Sequence, residues 1–149
     1  MQIESVKKAA ELLKIQLDIS EVRTASNFDE AFSGASQRSA GAMVLLSSPV
    51  IGPNVQILAE LAIRHRLPAI TLFPDFAREG GLLAYGPNLL GLYRRTGVLA
   101  AKVLAGAKPA ELPIERPTKF ELVLNMRTAT ALNLSIPASL LLRADEVIE

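Results

Sequence analysis

The sequence predicts an α/β protein built on a three-layer, mostly parallel sheet. Short runs of strand-type residues, near 16, 42, 69 and 82, alternate with segments whose apolar residues recur at helical spacing. Each alternation is a β–α–β unit, with parallel strands and the connecting helices packed on the faces of the sheet. In sheets of this kind ligands bind beyond the C-terminal ends of the strands.

From the N-terminus, Ile3, Val6, Ala9, Ala10 and Leu13 are spaced for a helix over 3–14. Ile15, Leu17 and Ile19 then alternate with Gln16, Asp18 and Ser20, the pattern of a half-exposed strand ending near Val22. Asn27 followed by Glu30 fits a capped start for a helix over 27–38, closed around Ser39 to Gly41. Ala42 to Leu46 is a short apolar run that reads as a strand buried on both faces. Pro53 can open the next helix, because its missing N–H would be unpaired there in any case. That helix runs to about His65 with Leu58, Leu61 and Ala62 inward, and Arg64, His65 and Arg66 suit the negative end of its dipole.

Ala69 to Phe73 is a second fully apolar strand, and Asp75 is a candidate cap for a short helical turn broken at Gly80-Gly81. Leu82 to Tyr85 is a third strand, and Gly86-Pro87-Asn88 is a turn into a long helix over 89–105. Gly91 and Gly97 weaken that helix by ~1 kcal/mol each relative to Ala, which close packing against another element would explain. Gly106 supplies a left-handed residue to end it. Pro109, Pro113 and Pro117 keep the following chain extended. Phe120, Leu122 and Leu124 alternate with Glu121, Val123 and Asn125, a strand with one wetter face. A short helix over 127–132 and another after Pro137 complete the chain.

With 149 residues the chain is long enough for one domain with a core. Sixteen Lys and Arg against 15 Asp and Glu leave a net charge of +1, and the basic residues form no single block, so no nucleic-acid partner is expected. The absence of Cys excludes disulfides, thiolate metal sites and a thiol nucleophile. Apolar stretches are broken well before the ~18 residues a membrane span requires. Met1 is followed by Glu4, Lys7 and Lys8 rather than an apolar leader, so a chain starting naturally at Met1 would be cytoplasmic.

Little in the sequence supports catalysis. His65 is the only His, and neutralising a helix C-terminus accounts for it more simply than a zinc site does. Ser47 and Ser48 stand where a nucleophile could sit, but there is no Gly-x-Ser-x-Gly elbow. His65 lies at the far end of the following helix, roughly 15 Å away. Gly80-Gly81 precedes a strand, the wrong order for a phosphate-cradling loop. An Asn-capped turn accounts for Gly86-Pro87-Asn88 without a ligand. Asp75 and Glu79 read as cap and surface residues rather than an acid–base pair. The expectation is no enzyme, no metal and no cofactor.

The strand-end loops, Ser47 to Asn54, Phe73 to Phe76 and Tyr85 to Asn88, look like binding surface instead. Ser47, Ser48, Phe73, Phe76, Tyr85 and Asn88 combine small hydroxyls, flat rings and an amide, a mixture suited to a small organic ligand. The competing explanation is that Phe73 and Phe76 belong to the core and the serines cap turns.

Several motifs carry a family resemblance. They are His65-Arg66-Leu67-Pro68-Ala69-Ile70, Phe73-Pro74, and Glu79 through Asn88 (EGGLLAYGPN). Leu92-Tyr93-Arg94-Arg95, Ala105 through Pro113 (AGAKPAELP) and Pro117 through Val123 (PTKFELV) follow. Asn133 through Pro137 (NLSIP) and the terminal Arg143 through Glu149 (RADEVIE) complete the set. Together they make the chain similar to the ABC-transporter substrate-binding proteins of the periplasmic-binding type I fold. The similarity runs along essentially the whole chain but reaches only the distal half of a family member.

The resemblance implies a single α/β domain over 1–149, equivalent to the second lobe of a two-lobed protein, with that lobe's first strand missing. Residues 86–117 resemble the segment that crosses to the first lobe. Ligand-facing positions by resemblance are Ser47 and Ser48, Phe73 and Pro74, and Tyr85 with Asn88. Relatives often have an acidic residue where Ser47-Ser48 stands, which leaves the ligand chemistry open. Some take up aromatic amino acids, so an amino acid or aromatic compound is the expected ligand. An ABC permease is the expected partner, and the periplasm or another extracytoplasmic space the expected location. A stand-alone effector-binding or oligomerisation module is the alternative. A truncated lobe would leave Leu89, Leu90, Val98, Leu99 and Leu104 partly bare, so a homodimer is expected, with strand or helix exchange as one route.

Overall fold

In the computed structural model, which describes residues 2–149, five strands lie side by side in chain order. They are β1 (Met43–Leu45), β2 (Ala69–Thr71), β3 (Leu83–Pro87), β4 (Phe120–Asn125) and β5 (Glu146–Ile148). β1, β2 and β3 run parallel, β4 is antiparallel to β3, and β5 is parallel to β4. The helices are α1 (Gln2–Leu13), α2 (Phe28–Gln37), α3 (Val55–Arg64), α4 (Pro74–Arg78), α5 (Leu89–Leu104), α6 (Met126–Ala131) and α7 (Ala138–Leu141). They flank the sheet on both sides.

The pairing register sorts side chains by face. Leu45, Thr71, Ala84 and Val123 form one row across four strands and are all buried. Above this face pack Phe28 and Phe32 from α2, Leu58, Leu61 and Ala62 from α3, and Phe76 from α4. Full burial of each large apolar side chain contributes about 1.5–3 kcal/mol. Phe76 is therefore core. The hydroxyl of Thr71, in the same row, is buried without a hydrogen-bond partner. The opposite row, Val44, Ile70, Leu83, Leu124 and Val147, is covered unevenly: Leu124 is buried and Val44 is 56% exposed.

Several sequence-based expectations are corrected. Residues 15–22 form no strand, because alternation alone does not supply a hydrogen-bonding neighbour. That segment is tied instead to the end of α2, where Arg38 donates to Asp18 and Ser20, while Val22 packs against the core. β1 is an edge strand with a neighbour on one side only, and it is not buried on both faces: Leu45 is buried but Val44 is exposed. Asn27 does not cap α2; its side-chain oxygen accepts from the Thr24 hydroxyl at 2.9 Å. Asp75 does not cap α4 but pairs with Arg78 at 3.0 Å inside the helix. Gly86 and Pro87 belong to β3 rather than to a turn. β4 has no wet face beyond its first two residues, because Leu122 through Asn125 are all buried. Asn125 is satisfied there, donating to the Ala77 carbonyl at 2.8 Å and accepting from the Thr128 N–H at 3.1 Å.

α5 shows a further difference. A Cβ at Gly91 would meet only the helix's own cap, Asn88 Oδ1, and one at Gly97 would meet nothing within 4 Å. The expected close packing against another element is therefore absent within the chain, and α5 buries none of its residues. Gly106 does end the helix in the left-handed conformation, at φ 100°.

Candidate ligand-binding rim

Because β1, β2 and β3 are parallel, their C-terminal ends share one edge of the sheet. Antiparallel β4 brings its N-terminal end, Phe120 and Glu121, to the same edge. The loops that follow the three parallel strands meet there.

After β1, the Ser48 hydroxyl accepts from the N–H groups of Val50 and Ile51, both at 3.2 Å, which shapes the turn into Gly52–Asn54. Ser48 is thus a turn cap. Ser47, half-buried beside it, makes no side-chain hydrogen bond among the described residues. After β2, the Phe73 ring lies across Gly52, where an added Cβ would stand 3.2 Å from Cζ. This contact joins the first two loops. Phe73 is half-buried at the margin of the core, and Pro74 is buried at the start of α4. In β3, Tyr85 is 53% exposed and stacks on Phe120, with ring centroids 5.7 Å apart and planes at 27°.

Asn88 is the busiest side chain on the rim. Its oxygen accepts from the Gly91 N–H at 2.5 Å, capping α5, and its amide donates to Glu121. Its backbone N–H donates to the Lys119 carbonyl at 3.0 Å. Glu121 also lies 3.6 Å from the Lys119 ammonium. Phe120 and Glu121 were not singled out in the sequence, because only the antiparallel return of β4 places them beside Pro87 and Gly86.

Gly86 fixes the spacing of this edge. A Cβ there would lie 2.2 Å from the Leu72 carbonyl oxygen, so only Gly lets β3 lie so close to the end of β2. Two concavities lie elsewhere. One, of about 430 Å³, sits at the opposite end of the strands among Arg78, Gly80, Asn125 and Arg127. The other is a polar groove between Ser20–Arg23 and α2. His65 Nε2 donates to the Asp29 carboxylate at 3.1 Å and its ring stacks on Phe32, so its bonding lies away from the serines. No metal-holding group of three or more His, Cys, Asp or Glu occurs among the described residues, and no helix there is long and apolar enough to cross a membrane.

A mostly parallel five-stranded sheet with helices on both sides is the architecture of periplasmic-binding-protein-like domains. The chain belongs to the ABC transporter substrate binding protein family, whose model matches residues 1–148. That family comprises substrate-binding proteins rather than enzymes.

Three solved structures have a similar fold. A conserved domain protein from Vibrio cholerae O1 biovar El Tor superposes with a TM-score of 0.90 at 18% identity, over 98% of this chain and 49% of that one. An ABC domain from Streptococcus pneumoniae, solved in complex with L-Trp, superposes with a TM-score of 0.89 at 23% identity, over 99% and 50%. CD0873, a substrate-binding protein with adhesive properties from Clostridium difficile in its ligand-free, open form, superposes with a TM-score of 0.68 at 18% identity, over 99% and 49%. The chain thus spans about half the length of the solved structures it matches. No curated protein sequence matches it.

Proposed function

We propose that this chain forms one jaw of a solute-binding cleft of the periplasmic-binding type I kind, serving an ABC importer outside the cytoplasm and delivering its ligand to the permease. One observation supports this above the rest: three parallel strands end side by side, so their loops present one continuous surface. The ligand is a small organic molecule held without covalent chemistry, of the amino-acid or aromatic class. Ser47 offers an uncommitted hydroxyl, Phe73 and Tyr85 offer ring faces, and Asn88 frames the end of the rim. Ser48 and Pro74 hold the two loops in shape. The L-Trp bound by the pneumococcal relative makes aromatic amino acids the first choice.

In a protein of the relatives' length, residues 86–117 would be the segment that passes to the opposite lobe. α5 buries none of its residues, and we infer an alternative role for this exposed helix as an oligomerisation module through which the chain forms a homodimer.

Melting curves with a panel of aromatic and aliphatic amino acids test the binding role. Ligand at about 100 times Kd stabilises by about 2.7 kcal/mol, or roughly 5–10 °C for a chain of this size. The shift is expected for an aromatic member and lost in Tyr85→Ala and Ser47→Ala; Ser47→Ala should leave the unliganded melting unchanged, while Tyr85→Ala also loses its stacking on Phe120. Flat melting temperatures across the panel would overturn the assignment.

A further inference from the structure

We infer that Glu121 is the ammonium-binding group of the rim, and that the ligand is an aromatic compound carrying a protonated amine. This rests on the binding role proposed above and adds which end of the ligand is recognised, and by what.

The strand register places Glu121 in the site. Gly86↔Glu121 is the next pair on the same face after Ala84↔Val123, so Glu121 projects to the face that carries Leu45 and Thr71. Phe73 packs against the core on that same face. Between them lies Gly86, which has no side chain and, with the Leu72 carbonyl so near, room for none. A gap two strand spacings wide, about 10 Å, therefore separates a ring from a carboxylate. Tyr85 and Phe120 occupy the alternate positions, stack on each other and border the same edge from its other side.

The carboxylate is held in place. The Asn88 oxygen is taken up in capping α5, so only its amide N–H groups remain, and one of them donates to Glu121 Oε1. The Lys119 ammonium approaches that same oxygen at 3.6 Å, too far for a hydrogen bond, from a side chain that is 70% exposed. So exposed a cation adds little. Glu121 Oε2 receives no hydrogen bond or ion pair among the described residues, although the side chain is only 21% exposed. A fixed carboxylate oxygen left open accepts from a donor outside the chain, and a cationic donor makes the stronger bond. No other rim group competes for this role. The loops Ser47 to Asn54 and Tyr85 to Asn88 contain no acidic residue, and Asp75 is paired with Arg78.

Three probes that share an indole ring test the assignment. L-Tryptophan and tryptamine carry the ammonium, and indole-3-propionate does not. In calorimetric titrations the wild-type chain should bind the first two at least about 10-fold more tightly than the third. Glu121→Gln keeps an oxygen for the Asn88 amide, so it should keep the wild-type circular dichroism. It should weaken L-tryptophan and tryptamine about 10- to 100-fold and leave indole-3-propionate unchanged. A Glu121 that only props Asn88 would weaken all three alike. That result, or a wild-type chain that binds tryptamine and indole-3-propionate equally, overturns the assignment while the binding role stands. Should Glu121→Gln fail to fold, the wild-type comparison decides alone. No binding of any probe at about 1 mM removes the binding role, and this assignment with it.

Discussion

Replacing Gly86 by Ala should destabilise the protein and disorganise its binding edge in one step. The new Cβ would sit 2.2 Å from the Leu72 carbonyl oxygen and 2.9 Å from the Leu72 carbonyl carbon and Cβ. That is roughly 1 Å inside van der Waals contact. The obstacle is backbone, so no rotamer change relieves it. β3 must draw away from β2 just beyond Thr71↔Ala84, the last pair of their short ladder. Overpacking of this kind costs about 1–3 kcal/mol, which lowers Tm by roughly 3–10 °C for a domain of this length. Differential scanning fluorimetry or circular dichroism reads the change directly. Gly41→Ala is the matched control: an added Cβ there meets nothing within 4 Å, so its effect should stay within about 0.5 kcal/mol. Because Tyr85 and Asn88 flank Gly86, ligand affinity should fall together with stability. A Gly86→Ala protein that melts with the wild type would refute the close approach of the two strands.

Two further substitutions probe the interior and the ion pairs. Thr71→Val removes a buried hydroxyl that has no partner, so it should raise stability by about 1 kcal/mol, seen as a higher urea midpoint at unchanged slope; a lower midpoint would mean that the hydroxyl is satisfied. The hydrogen bond from Arg78 holds the Glu146 carboxylate below its usual pKa. The bridge therefore contributes above the unfolded carboxylate pKa and is lost as pH falls through the folded value. Both side chains are over a third exposed, so screening limits the benefit to about 1 kcal/mol or less. Glu146→Gln should be slightly less stable than wild type at neutral pH, and the two urea curves should converge in acid; a gap that persists in acid would place its origin elsewhere.

The parts of the fold visible in the sequence were those fixed by local pattern. Leu58, Leu61 and Ala62 turn inward because their spacing matches the helix period, and Ala69 to Thr71 pairs on both sides because its small and β-branched side chains suit a buried strand. What failed depended on distant neighbours. Ile15, Leu17 and Ile19 alternate like a strand but have no ladder to join. Asn125 reads as wet, yet it is buried because α4 and α6 supply its bonding partners. The three residues of β5 were missed, since so short a run carries no periodicity. On the rim, the serines and Phe73 stood out because they follow strands, and Tyr85 because the third expected strand ends on it. Phe120 and Glu121 did not, because strand direction is a tertiary property. Ser48 fitted a turn cap from sequence, and the structure gives it that bond.

The joint at the base of α5 has mechanical character. The chain leaves the sheet through Pro87 and Asn88 and returns through Lys119 and Phe120, and these two passages are laced together by the Pro87↔Phe120 pair and the Asn88–Lys119 bond. A ribbon two strands wide flexes easily across its flat face but strongly resists shearing within its plane. The two passages therefore brace each other, and the direction in which α5 leaves the sheet is set by backbone pairing rather than by its own side chains.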